Sequence, residues 1–109
     1  MAHAIRLTRQ ASTEIDRIAV WYNEQQSGIG EEWLRRVEDA IASLGDDPER
    51  CGFAHETEAF PYELRELLYG SGRKKTHRIL FRVKGNEVIV LGIRHMAQQD
   101  VVSDDFGVS

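Results

Sequence analysis

The sequence predicts a small α+β protein, in which an N-terminal strand leads into an antiparallel helical hairpin. The hairpin lies on a mainly antiparallel sheet that a C-terminal meander of three strands completes. Three observations carry this. Apolar residues recur at helical spacing over two consecutive stretches separated by Ser27-Gly28-Ile29-Gly30, β-type alternation is densest between Tyr62 and Met96, and Gly85-Asn86 stands between two alternating runs as a two-residue hairpin turn.

A chain of 109 residues with 41% apolar content suits one domain with one core, expected over about residues 4–100 with a short tail at 101–109. No apolar run reaches the length of a membrane span, and MAHAIRLTRQ lacks the apolar stretch of a signal peptide, so a cytoplasmic protein without a membrane partner is expected. Cys51 is alone and reads as a passive residue. His3, His55, His77 and His95 form no pair at metal-ligand spacing, so no metal and no cofactor are expected.

Taken in order, His3 to Thr8 alternates weakly as a first strand, and Thr8 is placed to cap a helix over Arg9–Gln26, where Ala11, Ile15, Ile18 and Tyr22 make one stripe. Ser27 is positioned to cap the next helix, from Ile29 to Leu44, with Ile29, Trp33, Val37, Ile41 and Leu44 on one face. Gly45 is expected as its left-handed terminator before Asp46-Asp47-Pro48. Pro48 to Pro61 reads as a loop, with His55-Glu56-Thr57-Glu58 solvated and Phe60 held extended by Pro61.

Tyr62–Tyr69 is strand-like, followed by a flexible basic loop through Arg73-Lys74-Lys75 and a strand over Thr76–Lys84. The glycine spacing of that loop does not make a phosphate-binding loop. The Gly85-Asn86 turn sets Lys84 opposite Glu87, and counting back pairs Val83 with Val88, Arg82 with Ile89, Phe81 with Val90, Leu80 with Leu91, Ile79 with Gly92 and Arg78 with Ile93. By alternation, Ile79, Phe81, Val83, Val88 and Val90 face the helices. Arg78, Leu80, Arg82, Ile89, Leu91 and Ile93 share the other face with His95 beyond them, while Arg94 falls toward the helices. That second face, apolar with fixed guanidinium groups, is a candidate contact surface, covered either by the C-terminal tail or by another molecule.

Charge is unevenly distributed. Residues 62–96 carry eight Lys/Arg against three acids, residues 1–61 carry six against twelve, and the total is −4. A basic region on an acidic chain indicates an electrostatic partner on one part of the surface.

The runs Leu64-Arg65-Glu66-Leu67-Leu68-Tyr69-Gly70, His77-Arg78-Ile79-Leu80-Phe81-Arg82-Val83 and Val88-Ile89-Val90-Leu91-Gly92-Ile93-Arg94-His95 resemble the toxins of the RelE/ParE superfamily, over roughly Ala4 to Asp100. The resemblance implies a toxin of a type II, plasmid-stabilisation-type toxin–antitoxin system. Such a toxin is neutralised by a separate antitoxin chain and acts on DNA gyrase or on ribosome-bound mRNA. The ribonuclease branch is matched at Arg65 and Arg78, but its Gly-Lys-Arg-like turn and C-terminal tyrosine are missing, and no tyrosine follows Tyr69. Under a ribonuclease reading, Arg65, Arg78 and Arg94 would bind phosphate and His95 would move the proton, having the right intrinsic pKa for it. Net acidity argues against that reading, since affinity for RNA comes largely from neutralising phosphates. The favoured expectation is a ParE-like toxin that binds gyrase through Arg65, Arg73, Lys74, Lys75, Arg78, Arg82 and His95. The bland alternatives are arginines that merely lay their stems on apolar neighbours, or a member that has lost toxicity.

Overall fold

The computed structural model describes residues 2–71, 74–98 and 100–106. Strand β1 (Ala4–Leu7) leads into helices α1 (Arg9–Gln25) and α2 (Ile29–Ala42), and β2 (Arg65–Ser71), β3 (Lys74–Lys84) and β4 (Glu87–His95) follow. The sheet order is β1-β4-β3-β2, with β1 parallel to β4 and the other pairs antiparallel, so the predicted fold class and the three-strand meander are observed.

Each helix boundary has an identifiable cause. Thr8 Oγ1 accepts the Ala11 N–H at 3.1 Å, as expected of an N-cap. The turn into α2 works differently from the expected serine cap. Gly28 takes the N-cap position at φ +91°, and the Gly30 N–H donates to Asn23 Oδ1 at 2.6 Å. A Cβ on Gly30 would collide with the Ala19 carbonyl oxygen, so this glycine lets the two helices approach at their turn. At the other end, α2 stops at Ala42 and a 3₁₀ turn runs through Gly45. The left-handed residue there is Asp47 at φ 51°, not Gly45.

Ala11, Ile15 and Ala19 of α1 with Trp33, Val37 and Ile41 of α2 pack on Ile79, Phe81, Val88, Val90 and Ile93, forming the core between hairpin and sheet. The opposite sheet face is also buried. Leu80, Ile89 and Leu91 lie beneath Ala54, Phe60, Leu64, Val101 and Phe106, so the connection after α2 and the C-terminal segment together form a third layer. Short 3₁₀ turns at Pro48–Arg50 and Thr57–Ala59 organise that connection.

The β3–β4 pairing follows the predicted register from Lys84↔Glu87 to Phe81↔Val90 and then shifts, giving Leu80↔Gly92, Ile79↔Ile93, Arg78↔Arg94 and His77↔His95. The extra residue in β4 is a β-bulge. Beyond it every side chain lies on the face opposite to the one alternation predicts, so Ile93 joins the helix-side core. Glycine at 92 keeps this face clear, because a Cβ would come within 2.6 Å of Glu14 Oε1 and 2.7 Å of the Phe106 ring and those side chains would have to shift. Glu14, reaching from α1, accepts the Ile93 N–H at 3.0 Å and so satisfies an amide beside the bulge.

Candidate functional site

Sequence reasoning placed the chemistry on β3 and β4, and the structure divides those residues between two faces. On the face away from the helices, Arg78 is 6% exposed and each of its three guanidinium nitrogens is engaged. Nη1 and Nη2 donate to Glu56 at 2.9 and 2.5 Å in a bidentate fork, and Nε donates to Glu66 at 2.9 Å. Glu56 lies in the segment expected to be solvated, yet it is 7% exposed. Burial alone would raise its carboxyl pKa. The Arg78 hydrogen bonds, the Val101 N–H at 3.1 Å and its own backbone amide outweigh burial and hold it at about 2. Arg78 is correspondingly held above its ordinary value, chiefly by Glu56.

Arg94, beside Arg78 across the strands, pairs with Glu14 Oε1 at 2.7 Å and lies 5.2 Å from the Phe106 ring centroid. It therefore stands on the third-layer side of the sheet, a correction to the alternation argument that the bulge explains. His55 stands at the rim, with Nε2 2.7 Å from Asp100 and Nδ1 3.3 Å from Glu56. The ligand atoms of His55, Glu56 and Asp100 are close enough to surround a cation. Both Glu56 oxygens already accept from Arg78, however, and the guanidinium beside them opposes a further positive charge.

His95 faces the other way, toward the helices, again because of the bulge. Its ring lies 5.3 Å from that of His77, which in turn stacks edge-on against Trp33 at 5.6 Å. His95 Nδ1 accepts the Ala97 N–H at 3.1 Å, which puts the neutral ring's proton on Nε2. His77 is 3% exposed, and burial followed by the neighbouring His95 pushes its pKa down to about 4, so it is neutral at physiological pH. Both imidazoles line a groove of about 620 Å³ with Arg17, Ile18, Trp21, Tyr22 and Gln98. A second groove of about 320 Å³ shares Tyr22 and continues past Trp33, Arg36 and Tyr69. Val20 and Trp21 on α1 are more than half exposed.

The remaining candidates are dispersed. Arg65 lies 4.4 Å over the Phe53 ring and donates to the Cys51 carbonyl at 2.7 Å, and Arg82 lies 4.1 Å over the Tyr62 ring. Lys74 and Lys75 are exposed, but they belong to β3 and not to a loop. Arg73 lies outside the described residues. Sequence reasoning passed over Glu56, Glu66, Glu14 and Asp100, whose partners are 12 to 80 residues away in the chain or lie beyond an irregular turn. The one local signal it could have used is Gly92, an isolated glycine inside a strand pattern, which marks a bulge.

A family described as "ParE toxin of type II toxin-antitoxin system, parDE" matches residues 5–100. The chain belongs to the ParE toxin family. It is thus a toxin of the type II toxin–antitoxin class, and the resemblance drawn from the strand motifs holds at that level. A solved structure described as "Chromosomal ParDE TA system from P. aeruginosa" aligns with a TM-score of 0.68 and 21% identity, covering 86% of this chain and 96% of that one, and shares the fold. No curated protein matches. No helix among the described residues of this ParE-family chain is long and apolar enough to cross a membrane.

Proposed function

We propose that this ParE-family toxin arrests growth in the cytoplasm by binding DNA gyrase, without cleaving nucleic acid, and that a cognate antitoxin chain neutralises it. The observation that carries the non-cleaving reading is the state of Arg78. All three of its nitrogens donate to Glu56 and Glu66, so its charge is spent inside the protein. Arg94 is likewise paired with Glu14, and His95 lies on the opposite sheet face, toward the helices. A phosphodiester needs its proton shuttle and its cations around one phosphate.

Of the predicted contact cations among the described residues, Lys74 and Lys75 are exposed; they lie at the start of β3 and suit an acidic protein surface. The apolar grooves beside Trp21, Tyr22 and Trp33 suit the antitoxin. The purified toxin is expected to block gyrase supercoiling, with the block relieved by the antitoxin. Codon-phased cuts in cellular mRNA after induction, abolished by His95→Ala, would instead establish the ribosome-dependent endonuclease.

A further inference from the structure

The segment Asp100–Phe106 has a built seat. Val101 and Phe106 are 2% and 7% exposed and pack on the strap side of the sheet with Leu80, Ile89 and Leu91. Gly92 leaves room for the Phe106 ring, Phe60 flanks it at 6.1 Å, and Gln10 Nε2 donates to the Asp105 carbonyl at 2.6 Å. At its near end the segment is tied at two points. The Val101 N–H donates to Glu56, and the Asp100 carboxylate meets His55 Nε2. One imidazole therefore stands between a carboxylate fixed by Arg78 and a carboxylate carried by the segment itself.

We infer that Asp100–Phe106 is a strap that opens and closes over the sheet face, and that His55 is its proton-operated latch. The imidazolium donates from both nitrogens and bridges Glu56 to Asp100, whereas the neutral ring has a single N–H and holds only one of them. The charged groups facing His55 are Asp100 from the strap, Glu56 from the connection after α2, and Arg78 from β3, whose opposing charge is compensated by its two glutamates. The Asp100 hydrogen bond first, and the Glu56 charge after it, raise the His55 pKa above its ordinary value of 6.5, against burial and Arg78. The closed strap thus binds the proton more tightly than the open one. The proton's contribution to the latch is complete below pH 6.5 and is lost as pH rises through the closed-state value, which leaves the ring's single N–H bond. Because the ring is exposed, the effect is modest, about two- to fivefold in the ratio of closed to open strap. Opening would withdraw Val101 and Phe106 from Leu80, Ile89 and Leu91, which belong to the face the sequence offers as a contact surface, and from Arg94, which the bulge adds to that face.

The inference is independent of the gyrase reading, and its test reads the strap directly. Amide exchange of Val101 in the full chain would be followed by NMR at about pH 5.5 and about pH 8, corrected for intrinsic rates, with Phe81 and Val90 as internal references. Protection of Val101 relative to those references is expected to fall about two- to fivefold at the higher pH. His55→Gln, which cannot titrate, and Asp100→Asn should flatten that dependence. Constant relative protection in the wild type, or the same fall in His55→Gln, would overturn the latch. So would a parallel loss at Phe81 and Val90, which would report global loosening.

Discussion

Replacing Glu56 by glutamine tests whether the Arg78 fork is a structural element of the toxin. The substitution keeps shape and removes charge. Glu56 has a folded-state pKa of about 2 against an ordinary 4.5, and each unit corresponds to about 1.4 kcal/mol, so the ionised carboxylate contributes about 3 kcal/mol at neutral pH. Because the folded value is the lower one, this stability is complete above 4.5 and is lost as pH falls toward 2. Glu56→Gln should therefore lower the urea midpoint at pH 7 by about 1.5 M, taking a slope of about 2 kcal/mol per molar for a domain of this size. At about pH 3 the wild type has surrendered more than half of the contribution, and the gap between the two proteins should narrow to less than half of its neutral-pH value. A glutamine variant within about 0.5 kcal/mol of wild type at neutral pH, or a gap that does not change with pH, would refute the reasoning.

Other consequences follow from the same geometry. Gly30→Ala forces a methyl against the Ala19 carbonyl and should cost about 1–3 kcal/mol, read as a fall in Tm of about 5 °C or more. His77, with a folded-state pKa of about 4, should show no protonation shift at about pH 5.5 in an NMR titration. Its depressed value means that stability declines as pH falls from 6.5 toward 4, and His77→Asn should remove that part of the acid slope. Lys74→Glu with Lys75→Glu should leave stability within about 0.5 kcal/mol of wild type while weakening gyrase inhibition about tenfold or more, measured by supercoiling. Arg78→Lys keeps the charge but cannot form the fork. It should lower stability by about 1–3 kcal/mol in urea melts, an outcome that charge conservation alone would not give.

The architecture was legible because its determinants are local. Helical stripes, the Thr8 cap and the Gly85-Asn86 turn each act within a few residues, and the register holds from that turn as far as Phe81↔Val90. The site was less legible because its determinants are distant in the chain. Glu56 sits in a stretch with no periodicity, and its burial depends on Arg78 arriving from 22 residues away and on a strap arriving from 45. Hydropathy marks such a glutamate as solvent-facing, and only its partner reverses that. The sequence leaves the cover of this sheet face open between tail and partner, because an acidic tail does not advertise that Val101 and Phe106 are its anchors.

The bulge at Leu91-Gly92 bears directly on function. With an unbroken strand, Arg78 and His95 would share one face, and a guanidinium beside an imidazole is the beginning of a site for cleaving phosphodiesters. One extra residue turns Arg94 toward Arg78 and the strap and turns His95 toward His77 and the helices. The cations then meet Glu14, Glu56 and Glu66, which consume them, and the imidazoles meet aromatic rings, which burial keeps neutral at His77. The motif that resembles the ribonuclease branch is thus spent on joining three layers. Among the described residues, the predicted contact lysines Lys74 and Lys75 stay exposed, and with the aromatic-lined grooves they are suited to gripping a protein.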